Sequence, residues 1–260
     1  MKIDYHIHTR FSSDAEIDLK ELARKAISNG YESIAITDHY DFGAEDIANY
    51  GIPPYLKNYA AVDEIRKEFP NLDIMFGVEA GEYHRFHEWA DEVFNLRPPD
   101  FIIASIHQLL NGRNLSVPFS KILTPEDAKA YYQENLNLVR FGKFHILGHL
   151  SIFKRYLSMY DDSHCLPLIE EIFQEIIGKG IALEINFSAL GKTLQNVLPE
   201  PPLLHRYYEM GGRLITLGSD SHTINQFDTN YNKTVEIVRD CGFTSLFVWK
   251  NGQWEEKAFM

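Results

Sequence analysis

Lys2-Ile3-Asp4-Tyr5-His6-Ile7-His8 reads as an extended strand carrying two imidazoles and a carboxylate on alternate positions. Successive side chains of a strand face opposite ways, so Asp4, His6 and His8 share one face while Ile3, Tyr5 and Ile7 share the other. A His-x-His pair at a strand exit suits a divalent ion better than a core, because two neutral imidazole nitrogens can reach one centre. A half-exposed surface strand is the competing explanation, and recurrence of the same strand ending decides between them.

Such endings do recur. Apolar segments at 33–37, 72–78, 101–106, 144–148 and 214–218 run into Asp38-His39, Glu79, His107, His149 and Ser219-Asp220-Ser221-His222, and 181–186 is a further apolar segment. Helices are expected between them. One covers 19–29, with Leu22, Ala23, Ala26 and Ile27 inward and Asn29-Gly30 as its stop. Others end at 68, span 89–95, start at Pro125 behind a Thr124 N-cap, span 168–177 before Gly178 and Gly180, and span 203–210 and 231–241. Residues 40–59, rich in Gly, Pro and Tyr, read as a long loop whose aromatic residues border a pocket, and Asn251-Gly252 marks a closing hairpin. Seven apolar strands alternating with helices imply a parallel sheet covered by helices, closed or nearly closed into a β/α barrel. Function in such a barrel sits at the C-terminal strand ends, where these histidines and carboxylates fall.

A chain of 260 residues is routinely one barrel domain, so a single domain over 1–260 is expected. The formal charge of −12, from 37 acidic against 25 basic residues, argues against broad contact with a phosphate backbone and so against a long nucleic-acid partner. Cys165 and Cys241 lack metal-motif spacing and suit a reducing compartment. With no signal-like lead and no apolar run long enough for a bilayer, the expectation is a soluble cytoplasmic protein without a membrane partner.

Imidazole and carboxylate donors without thiolate suit Zn, Mn or Fe, and the candidates here exceed the needs of one ion. Carboxylates can bridge ions roughly 3.5–4 Å apart, the arrangement used to hydrolyse phosphate esters. The motifs Asp4-Tyr5-His6-Ile7-His8, Thr37-Asp38-His39, Gly77-Val78-Glu79, Ser105-Ile106-His107, Gly148-His149 and Ser219-Asp220-Ser221-His222 occur in an order that resembles the polymerase and histidinol phosphatase (PHP) family. Within it the chain is most similar to the bacterial histidinol-phosphate phosphatases, through its length, residues 101–107, Lys154-Arg155-Tyr156 and the final helix and hairpin.

That resemblance implies a distorted seven-stranded (β/α) barrel with three divalent ions, Zn, Mn or Fe. It implies His6, His8, Glu79 and Asp220 on the first ion, Glu79 bridging to a second on His107 and His149, and Asp14, His39 and His222 on the third. Asp4 and Asp38 would orient imidazoles, with Asp38 alternatively a catalytic proton donor. Arg155 would bind and stabilise the phosphoryl group, and Lys192 would contact the phosphate. The implied activity is hydrolysis of a small phosphate monoester, L-histidinol phosphate being the preferred substrate, by hydroxide generated at the ions. A PHP phosphodiesterase or exonuclease acting on nucleotides, and a non-catalytic metal-binding domain, are the alternatives.

Three departures from the family pattern bear on the substrate. Gly191 occupies the position of a usual arginine in Leu190-Gly191-Lys192, Ser151 that of a usual aspartate in Gly148-His149-Leu150-Ser151, and Glu79-Ala80-Gly81-Glu82-Tyr83-His84 departs from the usual acidic-aromatic version. His84 and His87 are expected on an exposed polar face, and His145, His164 and His205 outside the site.

Overall fold

A computed structural model describes residues 1–43, 53–119, 122–157 and 159–259. Seven parallel strands lie side by side in chain order: β1 (Ile3–Asp4), β2 (Ser33–Ile36), β3 (Asp73–Gly81), β4 (Phe101–Ser105), β5 (Ile146–Leu147), β6 (Ala182–Asn186) and β7 (Ile215–Gly218). The first and last strands close the ring, with Tyr5 N–H donating to Leu217 O at 2.9 Å, Asp220 N–H to His6 O at 2.7 Å and His8 N–H to Ser221 O at 3.0 Å. Strict strand order with a helix after most strands is what a right-handed β/α wind produces. The expected barrel is therefore present, with β1 and β5 only two residues long.

Regular pairing covers only Ile3–Asp4 of the extended segment expected over 2–8, although a parallel bridge between Ile7 and Ser221 carries the ladder onward. Both faces of this segment are buried, as befits a strand enclosed in a barrel. β3 is longer than expected and runs through Glu79 to Gly81, so Glu79 lies within a paired strand, opposite Ile103, instead of just beyond its end.

The helices are α1 (Leu19–Ser28), α2 (Tyr55–Glu68), α3 (Tyr83–Phe94), α4 (Pro125–Phe141), α5 (Leu166–Lys179), α6 (Pro201–Glu209) and α7 (Tyr231–Asp240). Asp18 caps α1 by accepting from Lys20 N and Glu21 N, and Thr124 with Asp127 forms a reciprocal capping box on α4. α5 buries Ile169, Ile172, Phe173 and Ile176, the spacing of a single helical stripe.

Several sequence expectations need correction. Ile27, expected inward, is 45% exposed, because the stripe of α1 turns through Leu22, Ala23 and Ala26. α2 begins at Tyr55, inside the expected loop, of which 44–52 lie outside the described residues. α3 starts six residues before position 89, behind Glu82 in a left-handed conformation, and bends at Phe86. Gly178 lies inside α5, and the left-handed Gly180 ends it.

The hairpin β8 (Ser245–Lys250) and β9 (Gln253–Ala258) turns through Asn251 and Gly252, both at positive φ as a tight two-residue turn requires. It docks on the barrel through Trp249, whose N–H reaches Tyr5 Oη at 3.3 Å and whose ring meets His145 edge-on. His145 also accepts from Ile102 N–H at 3.0 Å, so this histidine is part of the barrel wall.

Outside the barrel mouth, Lys154 is buried between Asp162 and Glu200, each at 2.8 Å, and Asp162 also accepts from Tyr132 Oη. Removing one partner of a buried pair strands the other charge, at a cost of about 3–5 kcal/mol. Lys154→Met is therefore expected to lower the unfolding free energy by about 3 kcal/mol, read as a lower urea midpoint at unchanged m-value.

Candidate active site

The C-terminal strand ends converge on one carboxylate. Glu79 is fully buried, and its Oε2 lies 3.3 Å from His6 Nε2, 3.4 Å from His8 Nε2 and 3.0 Å from His39 Nδ1. Its Oε1 lies 2.8 Å from His149 Nε2 and 3.2 Å from His107 Nε2, and accepts from Ser105 Oγ at 2.8 Å. Asp220 adds an oxygen 3.2 Å from His8 Nε2 and 3.8 Å from His6 Nε2. Above them His222 Nε2 stands 3.3 Å and His39 Nε2 3.7 Å from Asp14 Oδ2, which is half exposed at the rim.

This crowding fits metal ligation. Donors held about 2.0–2.2 Å from one tetrahedral ion sit roughly 3–3.5 Å from one another. Glu79 Oε2 and His39 Nδ1 are at such distances from their neighbours yet are buried without a hydrogen bond, as ligands aimed at a common centre would be. His6 Nε2 and His8 Nε2 face each other at 3.1 Å, and the N/O donor set without thiolate suits Zn, Mn or Fe. The groups close enough to share an ion include His6–His8–Glu79, His6–His149–Asp220, Glu79–His107–His149 and His8–His39–His222. Eight of the nine residues expected as ligands, His6, His8, His39, Glu79, His107, His149, Asp220 and His222, are thus brought to one floor, and Asp14 stands above them at the rim beside His222 and His39.

The electrostatics match. Burial opposes charge on Glu79, but the imidazoles of His6, His39 and His107 outweigh it and hold the carboxyl well below its ordinary range. Burial likewise opposes a proton on His6, and Glu184, Glu79 and Asp220 overcome that opposition. His39 is pushed up to about 9 against its burial, chiefly by Glu79. His8 goes the other way, down to about 3, through burial and then the neighbouring His39 and His222. His107 is likewise raised against its burial, chiefly by Glu79, and divalent ions binding at these rings would compete with protons for them.

Supporting residues hold the rings. Glu184 on β6 accepts from His6 Nδ1 at 2.6 Å, which leaves His6 Nε2 bare toward Glu79, and from His149 N–H at 2.5 Å. A Cβ at Gly218 would lie 2.1 Å from Glu184 Oε1, so this close approach demands glycine. Asp41 accepts from Gly81 N–H at 2.7 Å and faces His39 and His107, while Glu82 accepts from His107 N–H at 2.6 Å. Glu184, Asp41 and Glu82 were missed in the sequence. A carboxylate inside the apolar run Ile181-Ala182-Leu183-Glu184-Ile185 was a readable sign of a buried partner for Glu184, whereas nothing comparable marks Asp41.

Asp38 does not reach the cavity as a proton donor. Its Oδ1 accepts from Thr9 N, Ser12 N and Ser12 Oγ, and its Oδ2 from Thr9 Oγ1 and Asn58 Nδ2. It acts on an imidazole through Ser12, whose Oγ is 3.3 Å from His8 Nδ1. Asp4 likewise orients backbone instead of a ring, accepting from His6 N–H and Ser219 N–H. His84 is not exposed as expected, because its ring is half-buried beside Glu134 Oε2 at 3.3 Å, with Arg85 on the same carboxylate.

Above the floor opens a cavity of about 440 Å³, with Arg155, Tyr156, Ser188, Gly191 and Lys192 in its wall. Arg155 is buried, ion-paired with Asp220, and keeps its Nε without a partner. Lys192 is exposed at the rim, and a Cβ at Gly191 would meet only Asn230 Nδ2, at 3.9 Å, so the missing arginine leaves open space. Ser151 faces away from the floor and binds Tyr132 Oη at 2.7 Å. A smaller recess of about 70 Å³ beyond His39 and His107 is lined, among the described residues of the expected loop, by Asp41 and Pro53 and by none of its aromatic residues.

A parallel barrel with a histidine–carboxylate floor and an arginine in its wall defines a metallohydrolase type of site. The chain belongs to the PHP domain family, which matches residues 4–188. It is 29% identical over 258 residues to the histidinol-phosphatase of Lactococcus lactis, covering 94% of this chain and 93% of that one. It is 27% identical over 264 residues to a Clostridium acetobutylicum protein named "Probable histidinol-phosphatase", covering 96% and 98%. The crystal structure of histidinol phosphate phosphatase from Lactococcus lactis, complexed with zinc, L-histidinol and phosphate, superposes with a TM-score of 0.82 at 25% identity over 98% of both chains. Among the described residues no helix is long and apolar enough to cross a membrane.

Loss of the Glu184 carboxylate frees His6 to change tautomer and rotate. Glu184→Gln is expected to weaken divalent-metal affinity by about 10–100-fold, measured by competition with a chromogenic chelator.

Proposed function

We propose that this chain is a metal-dependent phosphomonoesterase that hydrolyses L-histidinol phosphate to L-histidinol and phosphate, a step of histidine biosynthesis. The observation that carries this reading is Glu79, one buried carboxylate whose two oxygens face two separate groups of imidazoles beneath the cavity that Arg155 lines. The similarity in full length to proteins named histidinol-phosphatase supports the choice of substrate.

In this reading three divalent ions are held by His6, His8, Glu79 and Asp220, by Glu79, His107 and His149, and by Asp14, His39 and His222, with zinc preferred because the related structure contains it. Such ions supply water activated near neutral pH and neutralise phosphoryl oxygens. The protein's own residues do the rest. Arg155, already neutralising Asp220, lines the cavity and offers its guanidinium to the phosphoryl group, where charge-assisted hydrogen bonds are strong. Lys192 offers a second, mobile positive charge from the rim where an arginine is absent. Depth at the barrel mouth limits bulk water around the ester, and the −12 net charge disfavours long nucleic acid as a rival substrate. One domain over 1–260, acting in the cytoplasm, completes the proposal.

Protein loaded with Mn²⁺ or Zn²⁺ is expected to release phosphate from L-histidinol phosphate with a kcat/KM of about 10⁴ M⁻¹s⁻¹ or more. The His6→Ala/His8→Ala variant should lose this turnover. Barely detectable release by the loaded wild type would remove this substrate.

A further inference from the structure

Hydrolysis of an alkyl phosphate needs a proton for the departing alkoxide, and the cavity restricts which side chain can give it. Seven of the nine proposed ligands line it, and ligands cannot also serve as free acids. Apart from those, its ionisable lining among the described residues is Arg155, Tyr156 and Lys192. A guanidinium does not deprotonate in proteins. Lys192 stands exposed at the rim, whereas Tyr156 is half-buried in the cavity wall, next in sequence to Arg155. Arg155 in turn is fixed on Asp220 at the floor. The phenol thus shares the cavity wall with the group that would hold the phosphate, and Tyr is an accepted general acid where geometry allows.

We propose that Tyr156 is the general acid that protonates the leaving alcohol, an inference that rests on the phosphomonoesterase reading above. The oxygen of the attacking water forms a bond to phosphorus as the bond from phosphorus to the alkyl oxygen breaks, with that electron pair remaining on the alkyl oxygen. The alkyl oxygen takes the proton of Tyr156 Oη. The phenolate, transiently paired with Arg155, regains a proton from solvent, so that overall one water is consumed and one alcohol and one phosphate are released.

The test compares an ester that needs the acid with one that does not. L-histidinol phosphate expels a strongly basic alkoxide, whereas p-nitrophenyl phosphate expels a weakly basic phenolate that departs without protonation. Tyr156→Phe should lose about 10²–10⁴-fold in kcat on the alkyl ester and only a few-fold on the aryl ester, while binding inorganic phosphate by calorimetry within about three-fold of wild type. The calorimetry also reports whether the variant is folded and loaded. Lys192→Met, which removes a phosphate contact instead, should weaken both esters alike. Equal losses on the two esters in Tyr156→Phe, no loss on either, or a selective alkyl-ester loss in Lys192→Met would each overturn the assignment. A wild type inactive on both esters would overturn the phosphomonoesterase reading itself.

Discussion

The structure depends on keeping a single carboxylate charged in a place without water. Glu79 is fully buried, and five imidazole nitrogens stand within 3.4 Å of its two oxygens. An isolated carboxylate there would protonate instead of remaining charged. Its neighbours come from the segments that follow β1, β2, β4 and β5, so the cluster forms only when the barrel does. The parallel bridge between His39 and Glu79 and the pairing of Glu79 with Ile103 fix its height in the ring. Fold and site therefore share one constraint.

Around that centre, charges are arranged in layers that each satisfy the next. Glu184 fixes the tautomer of His6, and Gly218 makes room for it to do so. Arg155 offsets Asp220, whose carboxyl it holds well below the ordinary range despite burial. Asp38 braces the loop carrying Ser12 with both its oxygens occupied, and Ser12 carries that bracing to His8. The unpartnered atoms are as informative as the paired ones. Glu79 Oε2, His39 Nδ1 and Arg155 Nε are among the atoms buried without hydrogen bonds, and these three residues line the cavity. Buried groups left open where several imidazoles and carboxylates already converge point to a ligand that completes them.

Much of this was legible in the sequence because a barrel converts strand order into spatial proximity. Apolar runs ending in His39, Glu79, His107, His149 and Asp220 located the strands and, with them, the site. What stayed hidden depends on tertiary geometry. Helix propensity did not reveal that α3 begins at Tyr83, because Glu82 enters it through a left-handed turn fixed by its hydrogen bonds to His107 and Gln108. The polarity of His84 suggested solvent, but Glu134 on α4 covers it. Ser151 looked like a change at the substrate, yet its left-handed backbone and its bond to Tyr132 turn it into the wall. Asp38 beside His39 looked chemically available, and only the fold shows five donors already bound to it.

The central claim is that Glu79 joins two ion sites through its two oxygens, and counting metal per chain tests it most directly. Wild-type protein equilibrated with Zn²⁺ and desalted should retain about three ions by mass spectrometry, whereas Glu79→Ala should retain about one, because both sites that share the carboxylate fail together. Loss of a single ion, or of none, in a variant that keeps its fold by circular dichroism would contradict the bridging role and the account built on it.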